Sequence, residues 1–111
     1  MRILPLLLAL LVGACAGAYH TPSDGRRQAR INEAYKARDA CLARSAAADG
    51  TMSIDAATVA RAAALACNAE TEKLIEVTNI DGDPRVALRI RRDSEFRAMG
   101  MVLKSRGEVS N

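Results

Sequence analysis

A stripe of small residues along the middle of the chain constrains its fold more than any other feature. The members of this stripe are spaced three or four residues apart: Ala56, Ala60, Ala63, Cys67, Thr71 and Leu74. Side chains three and four residues apart are neighbours on a helical surface, so the whole stripe lies on one face of an α-helix. We predict a helix that begins at a capping residue, Ser53 or Asp55, and continues to about Thr78.

Two further helices are indicated, one on either side of this central helix. Over residues 26–48, apolar and small side chains recur on one face around Ile31 and Leu42, which predicts a first helix. After the central helix, Asp83 suits an N-cap and Pro84 suits the first helical position, so a third helix is predicted from there to about residue 106. The loop between the first two helices is short, and short loops join antiparallel neighbours.

These helices have few large side chains with which to form a core. The chain has no tryptophan, and its aromatic residues are Tyr19, Tyr35 and Phe96, whereas alanine is abundant on the predicted helix faces. Alanine favours helix formation but buries little apolar area. We therefore expect a thin core, in which a covalent cross-link contributes a large part of the stability.

The first residues have the pattern of an export signal. Met1-Arg2 supplies a positive charge, and residues 3–12 form an apolar run of ten that is interrupted by Pro5. This run is shorter than the roughly 20 apolar residues that a membrane-spanning helix needs, and small residues follow it directly. A buried N-terminal helix is the alternative. We predict a cleaved signal peptide over residues 1–14.

Two processing sites compete at the end of this signal. Val12-Gly13-Ala14-Cys15 resembles the lipobox of bacterial lipoproteins, and on these residues the chain resembles small lipoproteins of Gram-negative envelopes. That resemblance implies no activity. It implies an outer-membrane lipoprotein that faces the periplasm, anchored through an acylated Cys15, with residues 15–25 as a flexible tether. The alternative is ordinary cleavage after Ala16-Gly17-Ala18, which releases a soluble periplasmic or secreted chain.

The two remaining cysteines predict a disulfide. Cys15 is either acylated or removed, which leaves Cys41 and Cys67 as a pair in an oxidising compartment. Two buried free thiols would be the expectation in a reducing compartment. The predicted class is all-α: a disulfide-stapled antiparallel helical hairpin plus a third helix. Residues 26–106 then form one three-helix domain, and residues 107–111 form a loose C-terminus.

One charged residue falls on the apolar face of each helix of the hairpin. If Cys41 pairs with Cys67, then Arg38 and Glu70, one turn away on each helix, come level with each other. We predict an ion pair between Arg38 and Glu70 that fixes the register of the hairpin. The alternative is that the long Arg38 side chain extends along the helix and places its guanidinium in water.

The chain lacks a set of side chains that would support catalysis or metal binding. Its one histidine, His20, falls in the tether, without a rigid partner to orient it. Two cysteines and this histidine do not complete a four-ligand zinc site. Residues 79–83 resemble a calcium loop only superficially, because Pro84 stands where the glycine of such a loop would be, so we predict a capped turn. We predict no enzyme, no metal and no cofactor.

The third helix carries the most informative pattern of charge. Seven basic and two acidic residues lie over residues 84–106. Three pairs have the spacing of ion pairs along a helix. They are Arg89–Asp93, Asp93–Arg97 and Arg91–Glu95.

Its apolar residues fall on two nearly opposite stripes. One stripe, which can cover the hairpin, contains Val86, Ala87, Ile90, Ala98 and Met101. The other has no evident cover, and an exposed apolar stripe among arginines is typical of contact surfaces. The predicted partner-binding residues are Arg85, Arg89, Arg92, Phe96, Met99 and Leu103. The alternative is that the chain bends near Gly100 and both stripes reach the core.

These patterns predict a membrane-tethered periplasmic helical binding module of unknown ligand. The expected partner is an envelope protein, an anionic glycan or a lipid surface. The lipid anchor provides a further contact, with the membrane. The net charge of +3, which includes Arg2, is too small to indicate nucleic acid. The alternative is a structural or stress-related envelope lipoprotein without a fixed ligand.

Overall fold

The computed structural model describes residues 24–47 and 54–107, and every regular element in that part is an α-helix. The helices are α1 Gly25–Ala47, α2 Ala56–Ala66, α3 Asn68–Thr78 and α4 Pro84–Ser105. The predicted all-α class is confirmed. The predicted signal peptide, Cys15 and nearly all of the tether lie outside the described residues, as do residues 108–111. Within the described ranges, no helix combines the length and the apolar character needed to cross a membrane.

The first helices form an antiparallel hairpin that is closed by a disulfide. Cys41 of α1 is bonded to Cys67, which follows α2, with their Cα atoms 5.8 Å apart. This confirms the predicted staple. Along the sequence, Cys67 lies further from the connecting loop than Cys41 does. The two cysteines therefore lie side by side only if the helical segment with Cys67 begins beyond the end of α1. The late start of α2 at Ala56 provides this offset.

The central helix is interrupted, and the prediction of one continuous helix is wrong. Asp55 caps α2 as predicted, since its Oδ2 accepts a hydrogen bond from the backbone N–H of Thr58 at 3.2 Å. The helix then breaks at Cys67, where φ is −102° and ψ is 20°. Beyond the break, α3 packs mainly against α1, whereas α2 packs mainly against α4. The break allows each half to lie along a different neighbour.

The turn before α4 is a capped turn, as predicted. Asp83 Oδ1 accepts a hydrogen bond from the backbone N–H of Arg85 at 2.9 Å, and Pro84 occupies the first turn of the helix. Asn79 closes the turn, because its Nδ2 donates to the Asp83 carbonyl at 2.8 Å and its Oδ1 accepts from the Asp83 N–H at 3.0 Å. Gly82 has a φ of 65°, which glycine adopts without strain.

The core is thin and consists largely of alanine. The disulfide lies inside it, and Leu42 and Val102 are the large aliphatic residues around that bond. The buried cluster contains Cys41, Leu42, Ala46, Ala60, Ala63, Cys67, Ala98 and Val102. Because alanine removes little apolar area from water, this packing alone stabilises the fold weakly.

We therefore predict that loss of the disulfide lowers the free energy of unfolding by about 3–4 kcal/mol, because the bond closes a loop with a sequence separation of 26. Urea unfolding with and without a thiol reductant measures this effect. The Cys41→Ala/Cys67→Ala variant is the control, since its midpoint must not respond to the reductant. An unchanged midpoint on reduction of the natural chain would contradict the prediction.

Candidate functional site

The rotation of α4 about its axis is set by a buried polar cluster. Arg38 of α1 is 0% exposed. Its Nη1 donates to Asp93 Oδ2 at 3.1 Å, and its Nε donates to Asp39 Oδ1 at 3.0 Å. The neighbouring Ser94 shares a hydrogen bond of 3.2 Å with Thr71 of α3. These contacts join α1, α3 and α4, so they hold the side of α4 that carries Asp93 and Ser94 against the hairpin.

The prediction that Arg38 pairs with Glu70 is wrong. Arg38 points inward, as predicted, but its carboxylate partners are Asp93 and Asp39. Glu70 Oε2 is buried and has no hydrogen-bond partner. The physical reason is that α4 docks over Arg38 and brings a carboxylate to it, whereas the side chain of Glu70 lies against the disulfide.

The surroundings of Glu70 do not form a metal site. A carboxylate oxygen of Glu70 and the two sulfurs of Cys41 and Cys67 lie within 4.8 Å of one another. The sulfurs are bonded to each other. A metal ion requires the thiolate form of cysteine as its ligand, so neither sulfur can serve as one.

Two arginines of α4 are neutralised by neighbouring carboxylates. Arg97 Nε donates to Asp93 Oδ2 at 2.8 Å, which realises one of the three pairs expected along the helix. This hydrogen bond raises the pKa of Arg97 above its ordinary value. Arg91 instead contacts Glu72 of α3 with two hydrogen bonds, at 3.0 and 3.2 Å, and not the expected Glu95. Both arginines therefore strengthen contacts within the domain.

Three other arginines of α4 are exposed, and their side chains have no carboxylate partner among the described residues. They are Arg85, Arg89 and Arg92. The expected Arg89–Asp93 pair does not form, because Asp93 is turned towards Arg38 and Arg97. The arginines of α4 thus fall into two groups: Arg91 and Arg97 are partly exposed and paired with carboxylates, whereas the other three are unpaired. All three unpaired arginines belong to the predicted contact surface.

Large apolar side chains lie among these unpaired arginines. Phe96 is 79% exposed and Leu88 is 46% exposed, whereas Met99 and Leu103 are half-buried. Helix α4 continues without a break through Gly100, so the chain does not bend there. Met99 nevertheless packs against the core cluster, so the second stripe reaches the core at that residue while Phe96 stays in water. We call this outward surface the contact strip. It consists of Arg85, Leu88, Arg89, Arg92, Phe96, Met99 and Leu103.

A shallow groove between α2 and α4 extends the contact strip. It has a volume of about 440 Å³, and Arg61 of α2 lines it together with Arg92 and Phe96 of α4. Further along α2, Leu65 is 76% exposed. Arg61 and Leu65 lie off the alanine stripe and were not among the predicted contact residues. The position of Leu65, a large apolar residue on the polar side of its helix, could have indicated an exposed contact residue there.

The polar cluster yields a prediction about stability. Asp93→Ala should lower the free energy of unfolding by about 3 kcal/mol, because it leaves the buried guanidinium of Arg38 with Asp39 as its one carboxylate partner. Urea unfolding measures the change. The matched control is Glu95→Ala, an exposed carboxylate on the same helix, for which we expect a change within about 0.5 kcal/mol. Equal effects of the two substitutions would exclude a structural role for the Arg38–Asp93 pair.

The contact strip yields a second prediction about stability. Phe96→Ala should change the free energy of unfolding by less than about 0.5 kcal/mol, since the ring is 79% exposed. Leu42→Ala, which empties a fully buried site, should cost about 3 kcal/mol under the same conditions. A loss of several kcal/mol in the Phe96 variant would place this ring in the core.

Comparison with known proteins adds no counterpart for this arrangement. No protein-family model, no curated protein and no solved structure matches the chain.

Proposed function

We propose that this chain is a membrane-tethered periplasmic binding module whose contact strip meets an anionic partner. One observation carries the proposal: Phe96 is 79% exposed on the same face of α4 as three arginines that have no carboxylate partner. Elsewhere on the same helix, Arg91 and Arg97 are both paired. The domain thus neutralises the charges that it uses for folding and leaves the others available.

The chemistry of the contact strip suits recognition. Aromatic residues and arginine are enriched among the residues that dominate binding energy at protein contacts. Arginine also holds carboxylate or phosphate groups with two parallel hydrogen bonds, so an unpaired arginine favours an anionic partner. An exposed phenylalanine contributes little to folding, and its position among arginines is explained by contact with another molecule.

The same surface does not suit catalysis. Its described side chains are arginines and apolar groups, with Glu95 at the edge of the adjoining groove. Proton transfer needs a general acid or base, and covalent catalysis needs a nucleophile beside such a base. Neither arrangement occurs among the contact-strip residues, so we propose binding and no enzymatic activity. We further propose that acylated Cys15 anchors the module to the outer membrane on its periplasmic side, with no cofactor and no nucleic acid involved.

Photocrosslinking in the native envelope tests this proposal. A photoreactive phenylalanine analogue in place of Phe96 should give one reproducible adduct on irradiation, because the ring lies at the contact. The matched control is the same analogue in place of Lys36, which is exposed on α1. Adding Arg92→Glu should weaken the adduct at position 96. Equal or absent adducts at both positions would instead support a structural envelope component without a fixed ligand.

A further inference from the structure

We infer that the anionic partner of the contact strip is the phosphate-bearing headgroup layer of a lipid surface. This inference rests on the proposed function, because it names the partner of the same surface. The contact strip lies along the outermost side of α4, a helix of 22 residues. Such a helix is about 33 Å long, and apolar side chains edged by arginine along one face are typical of helices that lie in a membrane interface.

A second copy of the chain is a poor partner for this surface. In a two-fold contact, both copies use the same surface patch. An interface through the contact strip would therefore contain the unpaired Arg85, Arg89 and Arg92 of both copies, and the strip has no carboxylate to neutralise them. Like charges opposed in an interface disfavour association. Charge complementarity therefore requires a partner that is itself acidic.

The shape of the contact strip favours lipid over an acidic protein. A specific protein interface normally buries about 800 Å² on each side and fits its partner closely. The fully projecting apolar group is Phe96, while Leu88 is partly exposed, Met99 and Leu103 are half-buried, and the adjoining groove against α2 is shallow. A headgroup layer needs no complementary shape, because it deforms around a projecting ring and supplies phosphate to each arginine.

The proposed anchor also holds the domain close to a membrane. About ten residues separate Cys15 from the start of α1 at Gly25. Even a fully extended segment of this length reaches at most about 35 Å, which is comparable with the length of α4. Helix α4 runs parallel to α1, since Arg38 meets Asp93 while the later Leu42 and Ala46 cluster with the later Ala98 and Val102. The first turn of α4 therefore lies at the tethered end of the domain.

Tryptophan fluorescence tests this inference in the full chain with Cys15→Ser, because an acylated Cys15 would insert into vesicles of either composition. The chain has no tryptophan, so Phe96→Trp introduces a unique probe. We expect its emission to shift to shorter wavelength, and its quenching by acrylamide to fall, with vesicles of phosphatidylcholine and phosphatidylglycerol. Vesicles of phosphatidylcholine alone should give neither change. The matched control is Ile80→Trp, at a position that is 66% exposed in the turn between α3 and α4, and it should respond to neither vesicle.

Charge reversal provides the second arm of the experiment. Adding Arg92→Glu to the Phe96→Trp chain should weaken binding to the anionic vesicles about 25-fold, since each arginine near an anionic surface contributes roughly a fivefold effect and the substitution changes the charge by two. Arg44→Glu, an equal change on the exposed side of α1, should have a much smaller effect. Added salt should also weaken the binding of the Phe96→Trp chain.

Four results would overturn the inference. The first two are unchanged emission and quenching with anionic vesicles, and an equal response to both kinds of vesicle. The third is protection of the tryptophan from acrylamide that rises with protein concentration alone. The fourth is protection from acrylamide by soluble polyglutamate but not by vesicles. The third result would indicate a second copy, and the fourth would indicate an acidic protein. In each case, a specific photoadduct at position 96 in the envelope would leave the proposed binding function standing, and its absence would remove that function as well.

Discussion

The disulfide between Cys41 and Cys67 is the constraint on which the rest of this domain depends. It lies within the core and not at its edge, and the side chains around it are mostly alanine. Small side chains remove little apolar area from water, so helix packing alone stabilises this fold weakly. The covalent bond reduces the conformational entropy of the unfolded chain and fixes the register of the two helical segments of the hairpin. The break between α2 and α3 falls at the same Cys67, which allows the two halves to follow different neighbours.

The buried guanidinium of Arg38 supplies the orientation that so thin a core cannot. Alanine faces are nearly featureless, and many rotations of α4 would bury similar apolar area. A buried cation permits far fewer arrangements, because it must meet carboxylates in favourable geometry. Asp93 meets this requirement and also accepts a hydrogen bond from Arg97, while Ser94 bonds to Thr71 beside it. Once this side of α4 faces inward, the opposite side must face outward.

The distribution of charge over the surface follows from this orientation. Glu72 pairs with Arg91, and Asp39 and Asp93 pair with Arg97, so these two arginines are neutralised. The contact strip receives none of these carboxylates, and its arginines remain unpaired around an exposed aromatic ring. The helix thereby presents a strongly basic and partly apolar outer face. The proposals of an anionic partner and of a lipid headgroup layer both depend on this separation, and not on the total charge of the chain.

Local patterns in the sequence alone determined the helical class, the caps at Asp55 and Asp83, and the two opposite stripes of α4, because these features depend on residues within a few positions of one another. The pairing of Cys41 with Cys67 was also predicted, since the predicted export signal would leave two cysteines in an oxidising compartment. Tertiary structure decided what local patterns do not encode. Arg38 pairs with Asp93, 55 residues away, and not with Glu70, because the docking of α4 selects which carboxylate reaches the buried guanidinium. That same docking leaves Phe96 exposed to water, so the outer stripe of α4 becomes an accessible surface.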